Sequence, residues 1–168
     1  EAMENMVEPG DIVLVANRYE AQLCAIELEA ACLVVCMTPN IAKTIIRKEE
    51  AHISFTDSIY TNIDTMSQYV NEALANMLYL LGNIEEVHEP DLIKNFNKER
   101  EINNYRNILR SQNIESINNK EYEYQAGIFY MDIICEAEKL GDYVINVVEG
   151  IEHQMRRRAG EQPIVVHE

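Results

Sequence analysis

Apolar positions follow two different periods along this chain, and the change falls near residue 56. In the first part, short unbroken apolar runs alternate with segments of helical composition. Asp11-Ile12-Val13-Leu14-Val15-Ala16 follows the turn signal Pro9-Gly10 and reads as a buried strand, as does Cys32-Leu33-Val34-Val35-Cys36. Between them, Tyr19 to Glu29 carries Leu23, Ile26 and Leu28 among Ala and Glu, a helical composition. Thr38-Pro39-Asn40 then opens a second helix, with Thr38 as N-cap and Pro39 in the first turn. Continuous rather than alternating apolar strands, each followed by a helix, predict a parallel βαβα segment over residues 1–56. Two strands do not make a stable open sheet, so this reading expects partner strands from a twin subunit or from residues beyond the chain.

From about residue 58 the period becomes helical. Ile59, Ile63, Met66, Val70, Ala73, Met77 and Leu80 recur at steps of four and three, one apolar stripe that stops at Gly82-Asn83. Pro90-Asp91 restarts the chain into a more polar helix to about Ile117, with Phe96, Ile102, Tyr105 and Leu109 as inner contacts, broken by Asn118-Asn119. A third helix runs from about Tyr122 to Arg158, with a seam of Phe129, Ile133, Ala137, Leu140, Val144, Val147 and Ile151. Short connections predict an antiparallel up-down-up bundle over residues 57–160, followed by a tail at 161–168. The fold class expected is therefore mainly α: a three-helix bundle preceded by a small α/β segment. The stretch 52–58 lacks Gly and Pro, so the two parts read as stiffly joined.

The third helix has a second face that is apolar early (Ile128, Met131, Cys135) and acidic later. Glu138, Asp142 and Asn146 lie four residues apart, so they share one face, placed by ~100° per residue roughly opposite the seam. Such a row can hold a metal ion or a basic partner, and it can equally be a solvated face. The mild repulsion of two carboxylates at this spacing, a few tenths of a kcal/mol at about i, i+4, does not demand a ligand. A metal site needs further ligands, for which Glu99 and Glu101 on the second helix, or Asp132 and Glu136, are candidates.

Composition narrows the classes. The chain has 168 residues, 47% hydrophobic and 26% charged, with 29 acids against 14 bases and a formal charge of -15. That balance opposes a nucleic-acid groove and suits cations and basic surfaces. No run of eighteen apolar residues suggests a membrane span, and no signal peptide is visible. Beginning with Glu, the chain reads as a fragment whose parent could carry membrane segments. Cys24, Cys32, Cys36 and Cys135 lack zinc-type pairing and read as small buried thiols in a reducing, cytoplasmic compartment. Scattered histidines, no nucleophile signature and no Gly-rich phosphate loop argue against an enzyme. The run Arg156-Arg157-Arg158 complements a helix C-terminus.

Two resemblances add to this. Glu121-Tyr-Glu-Tyr-Gln-Ala-Gly-Ile-Phe-Tyr-Met-Asp132, then Glu138-Lys-Leu-Gly-Asp-Tyr-Val-Ile-Asn146, with Glu101-Ile102-Asn103, Arg106 and Arg110-Ser-Gln-Asn-Ile-Glu-Ser-Ile, resemble the PhoU-like domain. The likeness covers about residues 58–155 and is strongest to the cytoplasmic carboxyl-terminal domain of bacterial sodium/phosphate cotransporters. It implies a helical bundle that regulates phosphate transport, with the transporter or its membrane domain as partner. It also implies an acidic cluster able to bind a divalent or ferric metal ion. Glu138 and Asp142 match that cluster directly, and Glu99 with Asn103 would be the pair on the second helix, Asn103 standing where an acid would add charge. PhoU proteins carry two such bundles, so a single one would take further ligands from a homodimer.

Pro9-Gly-Asp-Ile-Val-Leu-Val-Ala-Asn-Arg18, Gln22-Leu23, Ala25-Ile26 and the Cys32–Cys36 strand resemble part of the DRTGG domain, an α/β regulatory module. Asn17 and Arg18, between a strand end and a helix, would be its anion-binding position. The leading expectation is a non-enzymatic regulatory domain linked to phosphate transport, in the cytoplasm, as a soluble part of an inner-membrane protein. Two alternatives stand beside it: a sensor in which the α/β part binds an adenine nucleotide or another anion, and a plain dimerisation module using Ile128, Met131 and Cys135.

Overall fold

The computed structural model describes residues 39–158. The strands expected before residue 37, Cys24, Cys32, Cys36 and the candidate anion ligands Asn17 and Arg18 lie outside the described residues, as does the tail. Among the described residues the secondary structure is helical, without strands. Helix α1 occupies residues 39–50, α2 runs Asp57–Gly82, α3 Glu89–Asn118 and α4 Tyr124–Arg158.

Helix ends follow local chemistry. Thr56 caps α2 by accepting a hydrogen bond at its hydroxyl from the Ile59 amide, 3.4 Å. The Asp91 carboxylate accepts from the His88 amide at 3.0 Å and so closes the start of α3. Both α1 and α3 end in the same way. His52 N–H bonds to the Glu49 carbonyl and Ile53 N–H to the Lys48 carbonyl, with His52 left-handed at φ 54°. Lys120 and Glu121 repeat this onto Ile117 and Ser116, with Lys120 at φ 58°. These are Schellman stops that use a non-glycine residue in the left-handed position. The expected glycine stop differs: Gly82 stays helical and the chain leaves through Asn83 at φ -129°.

Helices α2, α3 and α4 all pack on one another. Opposed residues fix their directions: Lys98 pairs with Glu72 and Tyr105 with Asn62, while Arg106 meets Glu138 and Ile102 meets Gly141. Both pairings run in reverse order, so the bundle is up-down-up. The predicted α2 stripe is the buried one, with Met66 fully covered and Ile63 packed at its margin. On α4 the predicted seam is buried, Leu140 partly, but it is only half of the buried surface. Tyr130, Ile134 and Val148 are more deeply covered than most of it, at 1%, 0% and 0% exposure. Helix α4 is therefore the central element, touched by α2 on one flank and α3 on the other. Each fully buried aliphatic side chain there is worth roughly 1.5–3 kcal/mol of transfer. Helix α1 closes the remaining side, with Arg47 over the Phe129 ring at 5.7 Å and Asn40 bonded to Glu136 at 3.1 Å. No described helix is long and apolar enough to cross a membrane.

Candidate functional site

Residues Leu92, Glu99, Arg106 and Asn113 recur every seven positions on α3, beside the column Asn95, Ile102 and Leu109. Ile102 and Leu109 are buried at 1% and 0% exposure, so Glu99 and Arg106 stand in register with core positions, along the flank of the contact with α4. The facing column on α4 is Gly127, Ile134, Gly141 and Val148. A methyl group at Gly141 would come within 3.1 Å of Ile102 Cδ1, and one at Gly127 within 2.6 Å of Ile117 Cδ1. The two glycines thus let α3 approach α4 closely, which brings the flanking charges of the two helices together.

Arg106 Nη2 donates to Glu138 Oε1 at 2.8 Å, with side-chain exposures of 26% and 13%. Glu138 is thus not opposite the core, as the seam alone suggested, whereas Asp142 and Asn146 are exposed, on the side where the seam places them. Inclusion of Tyr130, Ile134, Gly141 and Val148 turns the buried face of α4 toward α3, and Glu138 falls at its edge. Glu138 is half-buried, and Asp142 and Asn146 are exposed. Glu99 joins them from α3. Burial pushes its carboxyl above the ordinary range, and the negative charges of Asp142 and Glu138 push it further. Asp142 is likewise raised by burial, partly offset by Arg106. Asn103 Nδ2 donates to Glu99 Oε1 from the next turn, while Asn103 Oδ1 and Arg106 Nε are shielded from solvent without a hydrogen-bond partner.

The structure therefore brings together all three candidate metal-site residues, Glu99, Glu138 and Asp142, at one helix–helix edge, and adds Arg106. The other candidates go elsewhere. Glu101 pairs with Lys98 at 2.6 Å, and Glu136 with Lys139 at 2.7 Å, which with Asn40 holds its carboxyl below the usual range. Among the described residues no group of three or more His, Cys, Asp or Glu is placed to hold a metal ion. As arranged, one chain does not fit a chelated metal: Glu138 is committed to Arg106 and Glu99 to Asn103. What the edge offers is a partly neutralised acidic surface, with Glu99 and Asp142 in excess over the one guanidinium.

In the sequence Arg106 stands out only as a motif residue. The signal that reveals its role is the seven-residue spacing from Leu92, which puts a cation in register with the core columns. Buried amides also escaped the sequence reading. Asn113 Oδ1 accepts from the Tyr122 hydroxyl at 2.9 Å, and Tyr105 donates to Asn62 Oδ1 at 3.3 Å, with the buried Tyr130 hydroxyl also against Asn62. Burial raises the Tyr130 phenol far above its ordinary pKa. The apolar early part of the second face is mixed: Met131 packs on the core, Cys135 is half-buried with its thiol pushed up by burial, and Ile128 is 40% exposed. No protein-family model matches the chain, and comparison with curated proteins and with solved structures gives no match either.

Proposed function

We propose that the chain is a non-enzymatic regulatory domain linked to phosphate transport, of the PhoU-like kind, and that it acts through protein contacts made by the α3–α4 edge. The observation that carries this reading is the electrostatic neighbourhood of Glu99 on α3 and Asp142 on α4, beside the Arg106–Glu138 ion pair. Both carboxyls are raised by burial, and they exceed the positive charge that Arg106 supplies. An acidic surface left partly uncompensated is completed by a basic surface on a partner, and the chain's overall charge of -15 favours the encounter. The helical bundle and the motif likeness over residues 58–155 support the PhoU-like identity. The partner is a phosphate transporter or its membrane domain, with the domain on the cytoplasmic side. A divalent or ferric ion at this edge would draw its remaining ligands from a second copy of the chain.

Removal of residues 58–168 from the parent protein is expected to change phosphate uptake, or its response to external phosphate, in cells assayed with labelled phosphate. Uptake and response equal to the intact protein would sink the regulatory reading. For the ionic part, elemental analysis after exposure to Mg2+, Mn2+, Fe3+ and Zn2+ distinguishes an edge that binds metal from one that binds only protein. Metal retained by the wild-type chain and lost in Asp142→Ala supports the former.

A further inference from the structure

We propose that the apolar pocket between α1, α2 and α4, open at one end, binds a small monocarboxylate with an apolar body, an aromatic acid of about benzoate size. This cavity holds about 230 Å³. Its walls are Ile41 of α1, Ile63 and Met66 of α2, and Ile133, Ile134 and Ala137 of α4. Met66 and Ile134 are fully buried and form its floor, while Tyr60 and Glu49, 53% and 69% exposed, mark its mouth. An aliphatic cavity of about 150 Å³ stays dry and takes up benzene. The extra volume here admits a ring with one small polar substituent, and falls short of the roughly 300–1,000 Å³ that drug-sized or nucleotide ligands occupy.

Lys48 chooses the substituent. Its side chain lines the cavity at 9% exposure, with Nζ 5.0 Å above the Phe55 ring centroid. The anion that now partners the ammonium is Glu49, 2.7 Å away, with the Tyr60 side chain beside it at the mouth. Glu49 is the adjacent residue on α1, with a side chain that remains largely in water, so it can turn outward at little cost. An incoming carboxylate then takes its place against Lys48 with its ring on the apolar floor. A neutral ring would fill the same walls without satisfying the ammonium. The site shares no residue with the α3–α4 edge, so the two proposals stand or fall separately.

The test uses the full chain labelled with 13C at its methionine methyl groups, titrated with benzoate and, as neutral probes, benzamide and toluene. Benzoate is expected to move the Met66 resonance saturably, with benzamide at least about tenfold weaker. Glu49→Gln is expected to tighten benzoate binding several-fold by removing the competing carboxylate. Lys48→Arg should retain the preference for benzoate over benzamide, and Lys48→Gln should abolish it. A Met66 resonance that millimolar benzoate leaves in place overturns the proposal. So does equal affinity for benzoate and benzamide, or benzoate binding unchanged in Lys48→Gln and Glu49→Gln.

Discussion

Arg106 on α3 reaches Glu138 on α4 at 2.8 Å, and this one ion pair ties the flank of the α3–α4 contact to the row of acids on α4. Its side chains are 26% and 13% exposed, between a surface pair and a buried one. Removing the cation leaves Glu138 shielded without a counter-charge. Arg106→Met is therefore expected to destabilise the bundle by about 1–3 kcal/mol, while the double variant Arg106→Met/Glu138→Leu recovers part of that loss. Urea unfolding of the two single variants and the double variant measures the coupling.

Helices α2 and α4 were legible because their apolar residues keep one period for about six turns, as in Ile59 to Leu80, whereas the more polar α3 was marked by its ends, Pro90-Asp91 and Asn118-Asn119. The flank charges were less legible. The seam through Phe129 and Val144 describes the side of α4 that is continuously apolar. The side toward α3 is written as Gly127, Ile134, Gly141 and Val148, where small residues dilute the hydrophobic signal. A glycine that admits a neighbouring helix looks like a weak helix position until the neighbour is placed. That is why Glu138 reads as opposite the core, and why the apolar pattern alone gives Arg106 no role.

Glu99 and Asp142 set a pH dependence with a defined sign. A carboxyl whose folded pKa lies above its unfolded value binds its proton more tightly in the folded state. It therefore lowers stability at neutral pH, and the deficit is relieved as pH falls through the raised value toward about 4. Glu99→Gln and Asp142→Asn are expected to raise stability at neutral pH by a few tenths of a kcal/mol each, less at high salt. Both should flatten the stability profile in that window. Glu136, held low chiefly by Lys139, opposes this trend only at lower pH, where its own stabilisation is lost. Thermal unfolding across this pH range reads both effects.

The helical glycines Gly82, Gly127 and Gly141 are expected to rank by what a methyl group would meet. Gly82 has nothing within 4 Å, so Gly82→Ala should gain up to about 1 kcal/mol from helix propensity. At Gly141 the new methyl lies 3.1 Å from the end of the Ile102 side chain, and the strain roughly cancels that gain. At Gly127 it lies 2.7 Å from Asn113 Oδ1, the acceptor of the Tyr122 hydroxyl, so Gly127→Ala should cost about 1–3 kcal/mol. Urea midpoints of the three variants decide the order.

The two Schellman stops hold His52 and Lys120 at positive φ without the freedom that glycine has. His52→Gly and Lys120→Gly are each expected to stabilise the chain by about 0.5–1 kcal/mol. Melting temperatures that fall in both variants would show that these side chains contribute more than their backbone strain costs.

The most direct test of the α3–α4 edge as the working surface is labelled-phosphate uptake in cells carrying the parent protein with Glu99→Gln/Asp142→Asn. Because this double variant is expected to fold at least as stably as the wild type, a change in uptake or in its response to external phosphate is assigned to the surface itself. The account predicts such a change, and unaltered uptake and response from a folded double variant would contradict it.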